Sequence, residues 1–215
     1  MRRLTHLTLS PPSRFARLMI GEKRLAYDPV VPEDPHMHLP VFVDLDGTRC
    51  EGLWAIVDHL EGTYSDRPLL PEDARVRGEA LRLVDWAMGP FQATITARIV
   101  FEKGAQRYTG AMTKRTPDMN VIREGRDVLK LALKGLGEMA DRNGYLTCRD
   151  CTLGDLAVAA HLSALDYFGE VPWSEFSAAS EWYVRMKSRP SFRSLLADRV
   201  PGQPPTTQYG ELDDI

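Results

Sequence analysis

The spacing of apolar residues in this sequence changes once, near residue 62. Upstream, apolar residues come in short runs bounded by proline, glycine and aspartate, which is typical of strands. Downstream, they recur at helical spacing almost to the end. A chain of 215 residues is long enough for one large domain or two small ones. We therefore predict an α/β domain over 1–61, a linker over 62–73 and an all-α domain over 74–200.

The order of elements predicted for the first domain is β-α-β, then a β-hairpin, then a helix. The segments are a strand at 4–9, a helix at 14–23, a strand at 25–31, a strand at 41–43, a turn at Asp46-Gly47 and a helix from Trp54. The Asp-Gly pair is the strongest of these signals, because both residues accept the positive φ angles that a tight hairpin turn requires.

The second domain is predicted as a series of helices, listed here with their limits. They lie at 79–101 (one helix, or two if Gly89-Pro90 interrupts it), 121–139, 153–168, 181–187 and 191–198. The segment 153–168 is rich enough in alanine and leucine that protein must surround it on nearly all sides. Thr152 and Asp155 form a capping box that starts this helix. The last segment, 201–215, contains three prolines and an acidic end, and we expect it to be extended.

Composition excludes several functional classes. Hydrophobic residues make up 43% of the chain and charged residues 27%, which is typical of a globular protein. The net charge of −3 offers no electrostatic footprint for nucleic acid. No stretch approaches the roughly 20 apolar residues that a membrane span needs. Proline and serine residues soon interrupt the apolar residues near the N-terminus, as they would not in a signal peptide. We therefore expect a cytoplasmic protein without membrane insertion.

Three short motifs connect this architecture with a known family. They are Pro68-Leu-Leu-Pro71 in the linker, Leu39-Pro40-Val-Phe before the hairpin, and Thr152-Leu-Gly-Asp155 at the start of a buried helix. With them the chain resembles the glutathione transferase superfamily over essentially its whole length. The resemblance implies a thioredoxin-like N-terminal domain, a helical C-terminal domain and a cis peptide bond at Pro40.

The C-terminal half resembles one branch of that superfamily more specifically. The matching segments are 159–167, Trp182-Tyr183, 188–202 and the proline-rich tail with its acidic end. This branch functions in cell division of alphaproteobacteria and binds the tubulin homologue FtsZ. The resemblance implies FtsZ as the partner, a homodimer, and a location in the cytoplasm at the division septum.

Ser10 is the one candidate catalytic residue. In serine-type members of the superfamily, a serine at the turn between the first strand and helix stabilises the thiolate of glutathione. Ser10 matches that position. The alternative is that Ser10 or Ser13 only caps the helix, with the intervening prolines supporting its first turn.

Two departures from the family pattern argue against tight glutathione binding and against catalysis. Active members follow the hairpin with a Glu/Gln-Ser pair that holds the γ-glutamyl carboxylate, and Gly52-Leu53 stands there instead. Losing one charge-assisted hydrogen bond costs about 1.5–3 kcal/mol. In addition, the segment 32–39 is too short and proline-rich for the helix usually found there. We predict no cofactor and a vestigial glutathione cleft, formed by Ser10, Ser13, Leu39, Pro40, Gly52 and Leu53.

The predicted partner contacts lie around this cleft. They are Arg14, Trp54 and Arg115, with Trp54 either an exposed aromatic anchor or a core residue. The basic stretch 102–126 forms either a surface for an acidic partner or a solvated loop. The tail 201–215 is a second candidate contact.

The pair Cys148 and Cys151 is spaced as C-x-x-C but lacks the context of a redox or metal site. The redox position of a thioredoxin-like domain is taken by Ser10 and Ser13. Zinc needs two further ligands at a matching spacing, and the histidines, including His36 and His38, do not supply them. We predict no metal site, and we interpret His161 as a core side chain with its polar atoms paired. The leading hypothesis is thus a non-catalytic FtsZ-binding adaptor, and the rival is a serine-type glutathione transferase acting on small electrophiles.

Overall fold

A computed structural model of the chain describes residues 1–34, 37–111 and 116–210. The N-terminal domain is built on a four-stranded mixed sheet with strand order β2-β1-β3-β4. Its strands are β1 (Arg3–Thr5), β2 (Asp28–Val30), β3 (Val41–Val43) and β4 (Arg49–Glu51). Strand β1 pairs in parallel with β2 and antiparallel with β3, and β3 pairs antiparallel with β4. The predicted order of elements along the chain, β-α-β and then a hairpin and a helix, agrees with the structure, but the strands predicted at 4–9 and 25–31 are only three residues long each.

Two helices cover the sheet: α1 (Pro11–Glu22) and α2 (Leu53–Thr63). Helix α1 begins with two prolines, whose missing N–H groups would be unpaired there in any case. Gly21 allows α1 to cross the second domain closely, because a Cβ atom at this position would lie 2.9 Å from the Cα of Ser191.

Strand β2 lies at the edge of the sheet and contains Pro29, which is paired in register with Leu4. Proline lacks the N–H group that a central strand would donate, so this residue is tolerated at an edge. Proline in an edge strand also discourages the pairing of a further strand.

The second domain consists of helices, including one π-helical segment. They are α3 (Ala74–Trp86), the π-helical segment Ala87–Thr96, α4 (Ala97–Lys103), α5 (Gln106–Thr109), α6 (Met119–Asn143), α7 (Leu153–Tyr167), α8 (Ser177–Lys187) and α9 (Arg193–Leu196). Single 3-10 turns occur at Trp173–Glu175, Pro190–Phe192 and Thr207–Gly210. Short helix α5 was not predicted.

The segment around Pro90 resolves the choice between one helix and two. The chain remains helical at Gly89-Pro90 but changes from an α-helix to a π-helix. This π-helical segment of ten residues joins α3 to α4 without a break. A proline cannot donate the next hydrogen bond of an α-helix, and a wider local pitch is one way to accommodate it. The hydroxyl of Thr94 donates to the Pro90 carbonyl at 2.8 Å within this segment.

Helix α7 forms the centre of the molecule, and all of its residues are buried. It packs against α1 of the first domain and α3 of the second. The capping box is present, with Gly154 N donating to Thr152 Oγ1 and Thr152 N donating to Asp155 Oδ2. Asp155 also accepts from Leu146 N and Trp182 Nε1, both at 2.9 Å, so it joins α7 to two other parts of the domain.

The connection between β2 and β3 and the C-terminal tail were both predicted to lack helical structure. Between β2 and β3, the described residues 31–34 and 37–40 form no helix. The tail was expected to be extended, and this is wrong at residues Thr207–Gly210, which form a 3-10 turn with Tyr209 buried. The reason is that Tyr209 packs with Leu9, Tyr167 and Val200 in a small apolar cluster of its own.

We expect Thr152→Ala to lower the free energy of unfolding by about 1 kcal/mol, because the first turn of α7 loses its side-chain cap. Urea denaturation measures this change. Arg149→Ala is the matched control, since Arg149 is exposed in the same loop. Equal stability of the two variants would contradict a capping role for Thr152.

Candidate functional site

The two serines at the start of α1 differ in their hydrogen bonding. Ser10 is the N-cap residue of α1, but its side chain makes no capping hydrogen bond. Ser13 is buried, and its hydroxyl accepts from Leu7 N at 3.1 Å. The hydroxyl that stabilises this turn therefore belongs to Ser13. Ser10 is half-buried.

The loop before β3 and the start of α2 come together as the family resemblance implies. The Leu39–Pro40 peptide bond is cis, which confirms the expectation for Pro40. Gly52 is the N-cap residue of α2 with φ of +81°, and its N–H donates to the Pro40 carbonyl at 2.9 Å. The pairs Leu39-Pro40 and Gly52-Leu53 thus meet at the end of the sheet where β3 begins and β4 ends.

The space in front of Gly52 is occupied by His38. A Cβ atom at residue 52 would lie 2.9 Å from Cε1 of the His38 ring, so the imidazole lies directly against the glycine. The combination of positive φ and this contact makes residue 52 accessible to glycine and strained for serine. His38 thus lies against the residue at which the family resemblance implies a contact with the carboxylate of glutathione. His38 was not predicted as a site residue, because nothing in its local pattern indicates a contact fourteen positions away.

The other side of the first turn is held by the second domain. Leu9 N donates to the Tyr108 carbonyl at 2.8 Å, and the Leu7 side chain lies against Gly110. The segment that carries α5 is therefore fixed against the loop that leads to Ser10. His38 therefore lies against Gly52, and α5 is bonded to Leu9, the residue before Ser10.

Arg14 does not present its side chain to a partner, contrary to the sequence prediction. It is fully buried, and its guanidinium donates to Thr8 O, Ser163 Oγ, Tyr209 Oη and Asp198 Oδ2 at distances of 2.8–2.9 Å. Four bonds of this kind compensate a charge that would be costly to bury alone. Arg14 is a structural residue that joins α1 to the second domain.

Trp54 is the member of the predicted contact set that the structure places at the surface. It lies in the first turn of α2 and remains 44% exposed, so it is not a core residue. Leu45, next to the hairpin turn, is 64% exposed in the same domain. Arg115 lies outside the described residues.

The basic stretch between α4 and α6 is partly neutralised. Lys103 and Arg126 both pair with the buried carboxylate of Glu170, which lowers the pKa of Glu170 despite its burial. The exposed Arg107 stacks on the ring of Tyr108 with its guanidinium carbon 4.7 Å from the ring centre. Part of this stretch is therefore a packed ion-pair network, which the solvated-loop interpretation did not anticipate.

The thiol of Cys151 lies in an environment that does not activate it. Burial raises the pKa of the Cys151 thiol well above its usual range, which makes it a poor nucleophile. Within residues 1–34, 37–111 and 116–210, no group of three His, Cys, Asp or Glu side chains could hold a metal ion. In the same ranges, no helix is long and apolar enough to cross a membrane.

His161 was interpreted as a fully paired core residue, and half of this is wrong. Its Nδ1 pairs with Thr96 Oγ1 at 2.7 Å, but its Nε2 is buried without a hydrogen-bond partner. Burial lowers the pKa of His161 to about 3. The pKa of His6 is lowered to about 4, first by burial and then by the charge of Arg17.

Comparison with known proteins shows full-length relatives. FtsZ-localized protein A of Caulobacter vibrioides is 39% identical to this chain over an alignment of 227 positions. The alignment covers 99% of this chain and 98% of the relative. The solved structure of FzlA from C. crescentus matches with a TM-score of 0.91 at 36% identity, covering 99% of both chains. The chain belongs to the FzlA family of glutathione transferase-fold proteins.

The FzlA family match agrees with a second solved structure and with the fold described above. A glutathione S-transferase from Rhodospirillum rubrum F11 matches with a TM-score of 0.92 at 37% identity, covering 100% of both chains. No family model matches the sequence. The predicted combination of a thioredoxin-like domain and an all-α domain is confirmed by these structures, as is the resemblance to the glutathione transferase superfamily.

The two histidines with lowered pKa values predict a loss of stability in mild acid. A histidine in the unfolded chain takes up a proton near pH 6.5, whereas His6 and His161 resist protonation until about pH 4 and 3. Protons therefore favour the unfolded state as the pH falls below 6.5. We expect the free energy of unfolding to decrease by up to about 1.4 kcal/mol per pH unit for each histidine.

Urea denaturation at pH 7, 6 and 5 measures this slope while most carboxylates stay ionised. His6→Gln serves as the comparison, because it removes one of the two groups. A slope that is identical in this variant would contradict the assignment to His6.

Proposed function

We propose that this protein is a non-catalytic adaptor that binds FtsZ filaments and supports bacterial cell division. The observation that carries the proposal is the 39% identity to FtsZ-localized protein A, which extends over nearly the whole of both chains. A match of this length covers both domains and the tail. We infer from the same relationship that the protein acts in the cytoplasm at the division septum.

The geometry of the cleft supports an adaptor without transferase activity. Gly52 supplies no hydroxyl at the N-terminus of α2, and the His38 ring lies against it. An active enzyme needs its substrate held so that the reacting atom is well positioned, and these contacts work against that.

Trp54 is the proposed centre of a partner contact. A partly exposed tryptophan flanked by half-buried Leu53 can bury a large apolar area on binding, which is typical of residues that dominate interface energy. The proposed oligomer is a homodimer. Partner binding and dimer formation are therefore measured separately, by co-sedimentation with FtsZ and by sedimentation velocity.

We expect Trp54→Ala to reduce co-sedimentation with polymerised FtsZ by at least about tenfold in affinity, as for a central aromatic residue of an interface. Leu131→Ala is the matched control, because Leu131 is 74% exposed on α6 of the other domain. Sedimentation velocity of each variant reports the dimer. Unchanged FtsZ binding by Trp54→Ala would place the contact elsewhere.

Glutathione is expected to give no saturable heat in calorimetry at millimolar concentration, and a model electrophile such as chlorodinitrobenzene is expected to show no turnover above the rate without protein. The physical reason is the missing hydroxyl and the His38 ring at residue 52. His38→Ala tests the second half of this reason, because removing the ring should improve any residual binding. Saturable binding with turnover in the unchanged protein would favour the serine-type transferase.

A further inference from the structure

A groove lined by none of the predicted cleft residues has the composition of a ligand site. It has a volume of about 590 Å³ and runs between β2 and α9, with α1 beneath it. Cavities of roughly 300–1,000 Å³ with apolar walls and a few polar groups are typical of small-molecule sites. Its apolar wall consists of Leu25, Ala26, Pro29, Val30, Val31 and the ring of Tyr27, whose hydroxyl interacts with Arg17.

The polar end of the groove carries more positive than negative charge. Arg17 and Asp198 both line it, and Arg17 donates to the two carboxylate oxygens at 2.8 and 3.0 Å. The same carboxylate accepts from Arg14 at 2.9 Å. Two buried guanidinium groups therefore share one carboxylate. The charged groups that act on the neighbouring His6 ring are these same three residues.

Two polar atoms beside this charge lack partners. Within the described ranges, four buried side-chain polar atoms have no hydrogen-bond partner, and two of them, His6 Nδ1 and Arg17 Nε, belong to residues of this groove. Buried polar atoms are normally paired, so their concentration at one place needs an explanation. An acceptor bound at the groove, with a small turn of the half-buried His6 ring, would pair with both.

From these observations we propose that the groove between β2 and α9 binds an apolar monocarboxylate. The carboxylate supplies the missing negative charge beside Arg17 and His6, and the apolar body lies along Tyr27, Val30 and Val31. A ligand with one negative charge is enough to balance the site, because Arg14 and Arg17 carry two positive charges and Asp198 only one negative charge. An added peptide strand fits less well, since Pro29 removes an N–H group from the edge of β2.

Titration with octanoate, followed by calorimetry, tests this proposal in the absence of FtsZ. We expect one saturable site, and we expect octanol, which has the same chain without the charge, to bind at least about tenfold more weakly. Equal affinity for octanoate and octanol would overturn the proposal, because the charge would then have no role. Absence of saturable octanoate binding below about 10 mM, corresponding to less than about 3 kcal/mol of binding free energy, would overturn it as well.

Two variants locate the site. Val31→Glu places a like charge at the rim, at a residue that is 82% exposed, and we expect at least about tenfold weaker octanoate binding with an unchanged melting temperature. Leu131→Glu, at a residue 74% exposed on α6, adds the same charge far from the groove and should leave the affinity unchanged. If both variants bind octanoate as the unchanged protein does, the ligand lies elsewhere and the proposal is wrong.

Discussion

The buried guanidinium of Arg14 is the interaction on which the arrangement of the two domains depends. It bonds to the loop before α1, to Ser163 of α7, to Asp198 after α9 and to Tyr209 of the tail. A buried charge that loses its partners is strongly destabilising, so Arg14 couples the positions of these four elements. Helix α1 therefore belongs to the core of the second domain as much as to the sheet that it covers.

This fixed position of α1 determines what the cleft can do. The helix begins at Pro11, and the serines on either side of that start are held close to their positions by the backbone and by Leu7. The facing wall is set by the cis peptide at Pro40 and by Gly52, which has no Cβ atom and so leaves room for the His38 ring. The result is a transferase-like fold in which the His38 ring lies against the N-cap residue of α2. Trp54, two residues after Gly52 in the first turn of α2, is exposed at the surface.

Asp198 pairs with two arginines, one in the core and one at the groove, and it thereby connects the fold with the proposed monocarboxylate site. It neutralises Arg14 in the interior and binds Arg17 at the groove with the same carboxylate. One negative charge cannot fully satisfy two guanidiniums, particularly where low polarity strengthens each unbalanced charge. Because Asp198 also neutralises Arg14 in the core, the groove keeps a surplus of positive charge and two nitrogens without hydrogen-bond partners.

Local sequence patterns determined the elements of this protein and much of their order. The Asp46-Gly47 turn, the buried α7 and the capping box at Thr152 follow from backbone conformation and periodicity, which depend on neighbouring residues. The tertiary structure decided the rest. Arg14 is buried because partners up to 195 positions away meet it, and His38 covers Gly52 because a loop and a helix start converge. Burial and charge pairing are properties of what surrounds a side chain in space, and local spacing along the chain does not specify those surroundings.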